Sequence, residues 1–285
     1  MAVDNVCELC YVARVKNHSR QRAMADAGLT RKELNELVDL LLSIGQAMLE
    51  SGAASFRTEE TMATIGLGLG ADRLEMWVTP TGMVVTAFSA EEQRTRVGRV
   101  GSIGVNMAQI WAVDQLSRRV AFQGGTFQSV RAELEAIKAT PRELPDWVVI
   151  ATVGVACGAF CKNLGGGWPE FAAATVGAGA AQWLKLMLRR LGVNFLMVTV
   201  VCAMAASLVA WLIAQIIPGD TMTLGLIASV LLLVPGVVSI TTIIDLTNYD
   251  LVSGVVRGVL ALIIVLSIGV GMMLTLWVTG MRILP

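Results

Sequence analysis

The chain has 285 residues, 22 basic against 22 acidic, and 55% of it is hydrophobic, with a mean hydropathy of +0.66. Charge is unevenly placed: 16 basic and 18 acidic residues precede Trp147, while 6 and 4 follow. A soluble domain carries about 25% charged residues. The first part fits that figure and the second does not, which excludes a wholly soluble enzyme and a disordered chain. The zero net charge gives no sign of a nucleic-acid surface.

In chain order, residues 1–29 read as a mobile polar leader. Asp4 and Glu8 stand first and Arg14, Lys16, Arg20 and Arg22 follow, so no secretory signal is expected and the first domain should stay in the cytosol. Cys7-x-x-Cys10 with His18 hints at zinc. A structural site wants four ligands, however, and no further Cys or His lies in the soluble half, so free thiols are the plainer reading. No metal or cofactor is expected.

A cytosolic α+β domain is expected over 30–145. Thr30-Arg-Lys-Glu33 is a capping box, and Leu34, Leu37, Val38, Leu41, Leu42 and Ile44 keep one helical face, predicting a helix over 31–50 that stops at Gly52. A second helix over about 56–67 ends in Gly66-x-Gly68-x-Gly70, which lacks a following helix and is a poor dinucleotide loop. Strands are predicted at 74–78 and 83–88 around the turn Thr79-Pro80-Thr81-Gly82, with a third over 94–100. Helices over 106–119 and 127–138 follow, and Pro141 and Pro145 mark the linker. No nucleophile elbow, phosphate loop or paired-carboxylate motif appears, so no enzyme activity is expected.

From 146 to 285 the expectation is a five-helix polytopic membrane domain, with spans near 146–162, 169–188, 194–217, 221–244 and 258–281. Two of the underlying uncharged runs are short for the roughly 20 residues a span needs. Lys185, Arg189, Arg190 and Arg257 against Lys162 and Arg282 set the N-terminal side as cytosolic, with the C-terminus outside. Asp220 reads as a solvated residue of an outer loop. Gly154-x-x-x-Gly158 and Gly254-x-x-x-Gly258 have the spacing of a helix contact, within this subunit or against another.

Two segments could carry transport chemistry. Lys162, Asn163, Gly165, Gly166, Gly167 and Trp168 join the short spans, where glycine amides and a lysine suit a carboxylate; a tight surface turn is the plainer alternative. Pro235-Gly236 should kink or break the fourth span near its centre, exposing amides, or simply bend it. Asp245 and Arg257 flank the next loop as a proton relay or an ion pair.

Ser51-Gly52-Ala53, the strand ending Val78-Thr79-Pro80-Thr81-Gly82, Pro145-x-Trp147, Gly158-Ala159-Phe160, Leu164-Gly165-Gly166-Gly167-Trp168 and Leu233-Val234-Pro235-Gly236 occur in that order, with Asp245 nine residues beyond the last glycine. Over about residues 30–280 this resembles the threonine/serine exporter family, in its split, N-terminal-half form. The resemblance implies a subunit of an inner-membrane exporter of threonine and serine or of short dicarboxylates such as succinate. It implies a second, smaller membrane subunit in a hetero-oligomer. It supplies no established catalytic set. A non-transporting sensor or assembly subunit and a membrane-anchored hydrolase are the alternatives.

Overall fold

The computed structural model describes residues 28–101, 104–140, 144–217, 219 and 221–280. Most of the expected leader, the Cys7, Cys10 and His18 group, Pro141, Asp220 and Arg282 lie outside them. The chain divides into two compact units: Met1–Thr140 with Val237–Gly258, and Pro141–Gly236 with Val259–Pro285.

The first unit opens with α1 (Arg31–Glu50) and α2 (Ser55–Gly68). The capping box is present at α1: the Glu33 backbone N–H donates to Thr30 Oγ1 and the Thr30 N–H donates to the Glu33 carboxylate. This satisfies amides that a helix start otherwise leaves without intrahelical partners. Three antiparallel strands follow in the order β1-β2-β3: β1 (Arg73–Thr79), β2 (Gly82–Ser89) and β3 (Glu92–Arg99). Thr79 pairs with Gly82 across a two-residue turn, where Thr79 Oγ1 donates to the Gly82 carbonyl. The sheet alternates in burial along β2, and Met83, Val85 and Ala87 face a core built on Leu34, Leu37, Leu41, Ile44 and Met48 of α1. Each such Leu, Ile, Val or Met side chain, fully buried, contributes about 1.5–3 kcal/mol of transfer free energy. Two further helices, α3 (Met107–Gln123) and α4 (Phe127–Ala139), add Val113, Leu116, Val120, Val130 and Leu134 to that core.

The second unit holds α5 (Asp146–Asn163), α6 (Trp168–Arg190), α7 (Phe195–Ile216), α8 (Met222–Ser229) and a 3-10 turn at Leu231–Leu233. Then come α9 (Gly236–Thr247) and α10 (Leu251–Thr279), which carry the chain from one unit to the other. The centre of the second unit is α6, whose Ala173, Ala174, Gly177, Ala178 and Ala181 are buried against its neighbours. Small side chains let helix backbones approach closely. The paired glycines act inside this chain: a Cβ at Gly154 would stand 2.7 Å from the Thr175 carbonyl of α6, and Gly254 packs on Leu246.

The expected fold class does not hold. The described chain is mostly helical, with one small three-stranded sheet, and its two units are not consecutive in sequence. Nor do the described residues contain five spanning helices. Among the described residues α7 and α10 are long and apolar enough to cross a bilayer, and a third counts if Met222–Leu233 and Gly236–Thr247 are one interrupted span. The regions 146–162 and 169–188 do form helices. However, α5 has only 18 residues and includes Asp146, Lys162 and Asn163. In α6, alanine and glycine dominate, with Glu170, Lys185, Arg189 and Arg190 in the same helix. An absence of charge over a short run is not the same as apolar length.

Candidate functional site

The segment between α5 and α6 is a helix cap followed directly by a helix start. Leu164 ends α5, and Gly165 takes φ +95°, a left-handed conformation that favours glycine. The Gly165 N–H donates to the Lys162 carbonyl and the Gly166 N–H to the Cys161 carbonyl, both at 3.0 Å. These are the two bonds of a Schellman cap. Two of the three glycine amides that could face a carboxylate are therefore taken by α5's own carbonyls. Asn163 and Lys162 are exposed. The Lys162 ammonium lies over the Trp168 ring, 4.9 Å from its centroid, and Trp168 meets Phe171 edge-on at 5.6 Å. The structure thus brings Lys162 and Trp168 together through a cation–π contact.

Sequence reasoning missed Glu170. It sits in the first turn of α6, directly after Pro169, and is only 3% exposed. Its Oε1 accepts hydrogen bonds from the Thr221 backbone N–H at 2.9 Å and from Thr221 Oγ1 at 3.3 Å. Gly167 and Gly219 lie so close that a Cβ at either would collide with the carboxylate. The available signal was a lone acid after a proline at a helix start, in a half of the chain that has only four acids.

Pro235 and Gly236 occupy the interruption before α9. Val234 is extended, at φ −59° and ψ 129°, between the 3-10 turn and the helix. The Gly236 N–H donates to the Val234 carbonyl at 2.8 Å. A Cβ on Gly236 would meet nothing within 4 Å.

Asp245 and Arg257 come together in the first unit. Arg257 Nε and Asp245 Oδ2 are 3.0 Å apart, with side-chain exposures of 2% and 0%. The N–H is off the line of approach, so the two meet as charges rather than through an aligned hydrogen bond. Arg257 Nη2 donates to the Ala53 carbonyl between α1 and α2 at 2.7 Å, Arg257 Nη1 donates to Thr241 Oγ1 of α9 at 3.4 Å, and Asp245 Oδ1 accepts from the Ser55 N–H at the start of α2 at 3.0 Å. Ser253 Oγ donates to the Val78 carbonyl at 3.3 Å. Nearby, Glu59 accepts from the Val78 N–H. Burial raises the Glu59 pKa above the ordinary carboxylate value; the Val78 hydrogen bond opposes this, and the charges of Asp250 and Asp245 add to it.

Long apolar helices with an interruption at Pro235-Gly236, and a buried ion pair near the start of one of them, define a helical membrane protein. The family described as "Putative threonine/serine exporter" matches residues 39–279, and the chain belongs to that family, whose class is the membrane exporter. It is 28% identical over 258 residues to the "Probable succinate transporter subunit YjjP" of Klebsiella aerogenes, covering 88% of this chain and 97% of that protein. To the protein of the same description from Escherichia coli it is 26% identical over 244 residues, covering 85% and 94%. The "Probable threonine/serine exporter" of Mycobacterium tuberculosis is 22% identical over 259 residues, 90% of this chain but 49% of that protein. No solved structure matches.

Proposed function

We propose that this chain is one of two membrane subunits that together export a small carboxylate-bearing solute, a short dicarboxylate of the succinate class or a small amino acid such as threonine or serine. The observation that carries the reading is one of coverage. The chain accounts for nearly all of two relatives whose printed names call them transporter subunits, and for about half of a relative whose name is that of an exporter. The other half of that longer chain is the counterpart of a separate second subunit here.

The first unit lies in the cytosol on this reading and the C-terminus outside. Lys185, Arg189 and Arg190 gather at the end of α6, and Arg190 pairs with Asp146 at the start of α5 at 2.6 Å. Those helix ends therefore share one basic side. The substrate path uses Lys162, Asn163 and Trp168 beside the Gly165–Gly167 cap, together with the interruption at Pro235-Gly236. Lys162 supplies the positive charge, held over an aromatic face from which a carboxylate can draw it.

Copurification tests the two-subunit reading. A tagged copy of this chain, coexpressed with a smaller membrane protein of the same family, retains it through detergent extraction. A chain that purifies alone and exports solute unaided overturns the reading.

A further inference from the structure

We infer that the end of the first unit formed by the starts of α2 and α3 rests in the lipid interface, with Val105, Met107, Trp111 and Phe56 as its contact. This inference depends on the chain being a membrane protein and not on the substrate proposed above.

The geometry begins at Arg257. It is the last charged residue before the 22 uncharged residues Gly258–Thr279 that complete α10. At 1.5 Å each, these cover about 33 Å, the thickness of a bilayer's hydrocarbon core. The edge of the apolar layer therefore falls next to Arg257.

Arg257 is hydrogen-bonded to Ala53, which locates one end of the first unit at that edge. The same end carries the start of α3: the Gly104 N–H donates to the Glu50 carbonyl at 2.7 Å and the Asn106 N–H to the Ser51 carbonyl at 2.9 Å. The start of α2 lies alongside, where Arg57 pairs with Asp114 at 2.9 Å. Val113, Leu116 and Val120 of α3 face the core. The outward residues at this end are apolar and exposed: Phe56 45%, Val105 55%, Met107 51% and Trp111 66%. In water that surface is costly. At the acyl–headgroup boundary it is favourable, and an indole ring is suited to that depth. Asp114, the acid of α3 beside the patch, is paired with Arg57 and Arg118. Phe122, equally exposed, lies at the opposite end of α3.

The test uses the full chain in phospholipid vesicles, with its five native cysteines replaced by serine. Met107→Cys, Phe56→Cys, Phe122→Cys and Glu135→Cys are each spin-labelled. Relaxation is then compared under oxygen, which partitions into lipid, and under a water-soluble nickel chelate. The inference expects oxygen to dominate at positions 107 and 56, and the nickel chelate to dominate at 122 and 135. Nickel dominance at 107 and 56 overturns it by placing that end in water. Shielding of 107 and 56 from both reagents also overturns it, because protein then covers the patch.

Discussion

The Asp245 carboxylate accepts a 3.0 Å hydrogen bond from the backbone N–H of Ser55, 190 positions earlier in the chain. Ser55 is the first residue of α2, and the residue before it, Ala54, offers no side-chain cap. Asp245 supplies that cap from a distant helix, and its negative charge suits the positive end of the helix dipole. Arg257 closes the arrangement by holding both Asp245 and the Ala53 carbonyl.

Removing one partner leaves a buried charge without compensation. Arg257→Ala or Asp245→Ala should each cost about 3–5 kcal/mol, while joint replacement by Leu and Met should cost less than either. Thermal unfolding of the four proteins in one detergent checks the order. Single variants as stable as the wild type would show that the pair contributes nothing.

Glu59 predicts a pH dependence. Its folded-state pKa is raised by burial above the ordinary 4.5, so the folded state holds that proton more tightly than the unfolded chain does. The contribution to stability is complete below the unfolded value and is lost as pH rises through the folded one. Glu59→Gln keeps an oxygen for the Val78 N–H and removes the charge. The variant should therefore be more stable than wild type at neutral pH, with the advantage shrinking on acidification toward pH 4.5. Unfolding midpoints of both proteins across that range check the sign, and an advantage that grows in acid would contradict it.

Much of the first unit was legible because its signals are local. The Thr30–Glu33 box marks the start of α1, and the β-branched run from Met83 to Phe88 after the Thr79–Gly82 turn marks β2. The membrane half was less legible for two physical reasons. Counting uncharged residues treats Ala and Gly in α6 as though they were Leu. Counting glycine amides ignores the carbonyls at the end of α5, which claim Gly165 and Gly166. The Asp245–Ser55 contact had no sequence signal, since no periodicity spans 190 residues. Asp245 and Arg257 could be noticed as neighbours, but the helix they hold could not.

Lys162 and Glu170 separate two roles. Lys162 is exposed over Trp168, so Lys162→Ala should leave the fold intact and slow export severalfold. Glu170 is buried and ties Thr221 to the start of α6. Glu170→Ala should lower the unfolding midpoint by leaving the Thr221 donors unpaired, a loss of about 1–3 kcal/mol. Export assays paired with thermal melts distinguish them. Wild-type export from Lys162→Ala, and likewise from Gly236→Leu, would move the substrate path elsewhere.

Orientation is accessible to labelling. A cysteine at Tyr249, exposed between α9 and α10, should react with an impermeant maleimide only in inverted vesicles. Reaction from outside intact cells would reverse the assignment of the first unit to the cytosol.

The most direct test of the central claim is efflux from vesicles loaded with labelled succinate or labelled threonine. Vesicles hold this chain alone, a smaller family subunit alone, or both. The account predicts efflux above background only when both are present, with unlabelled carboxylate competing. Equal efflux from this chain alone, or none from the pair for either solute, would contradict it.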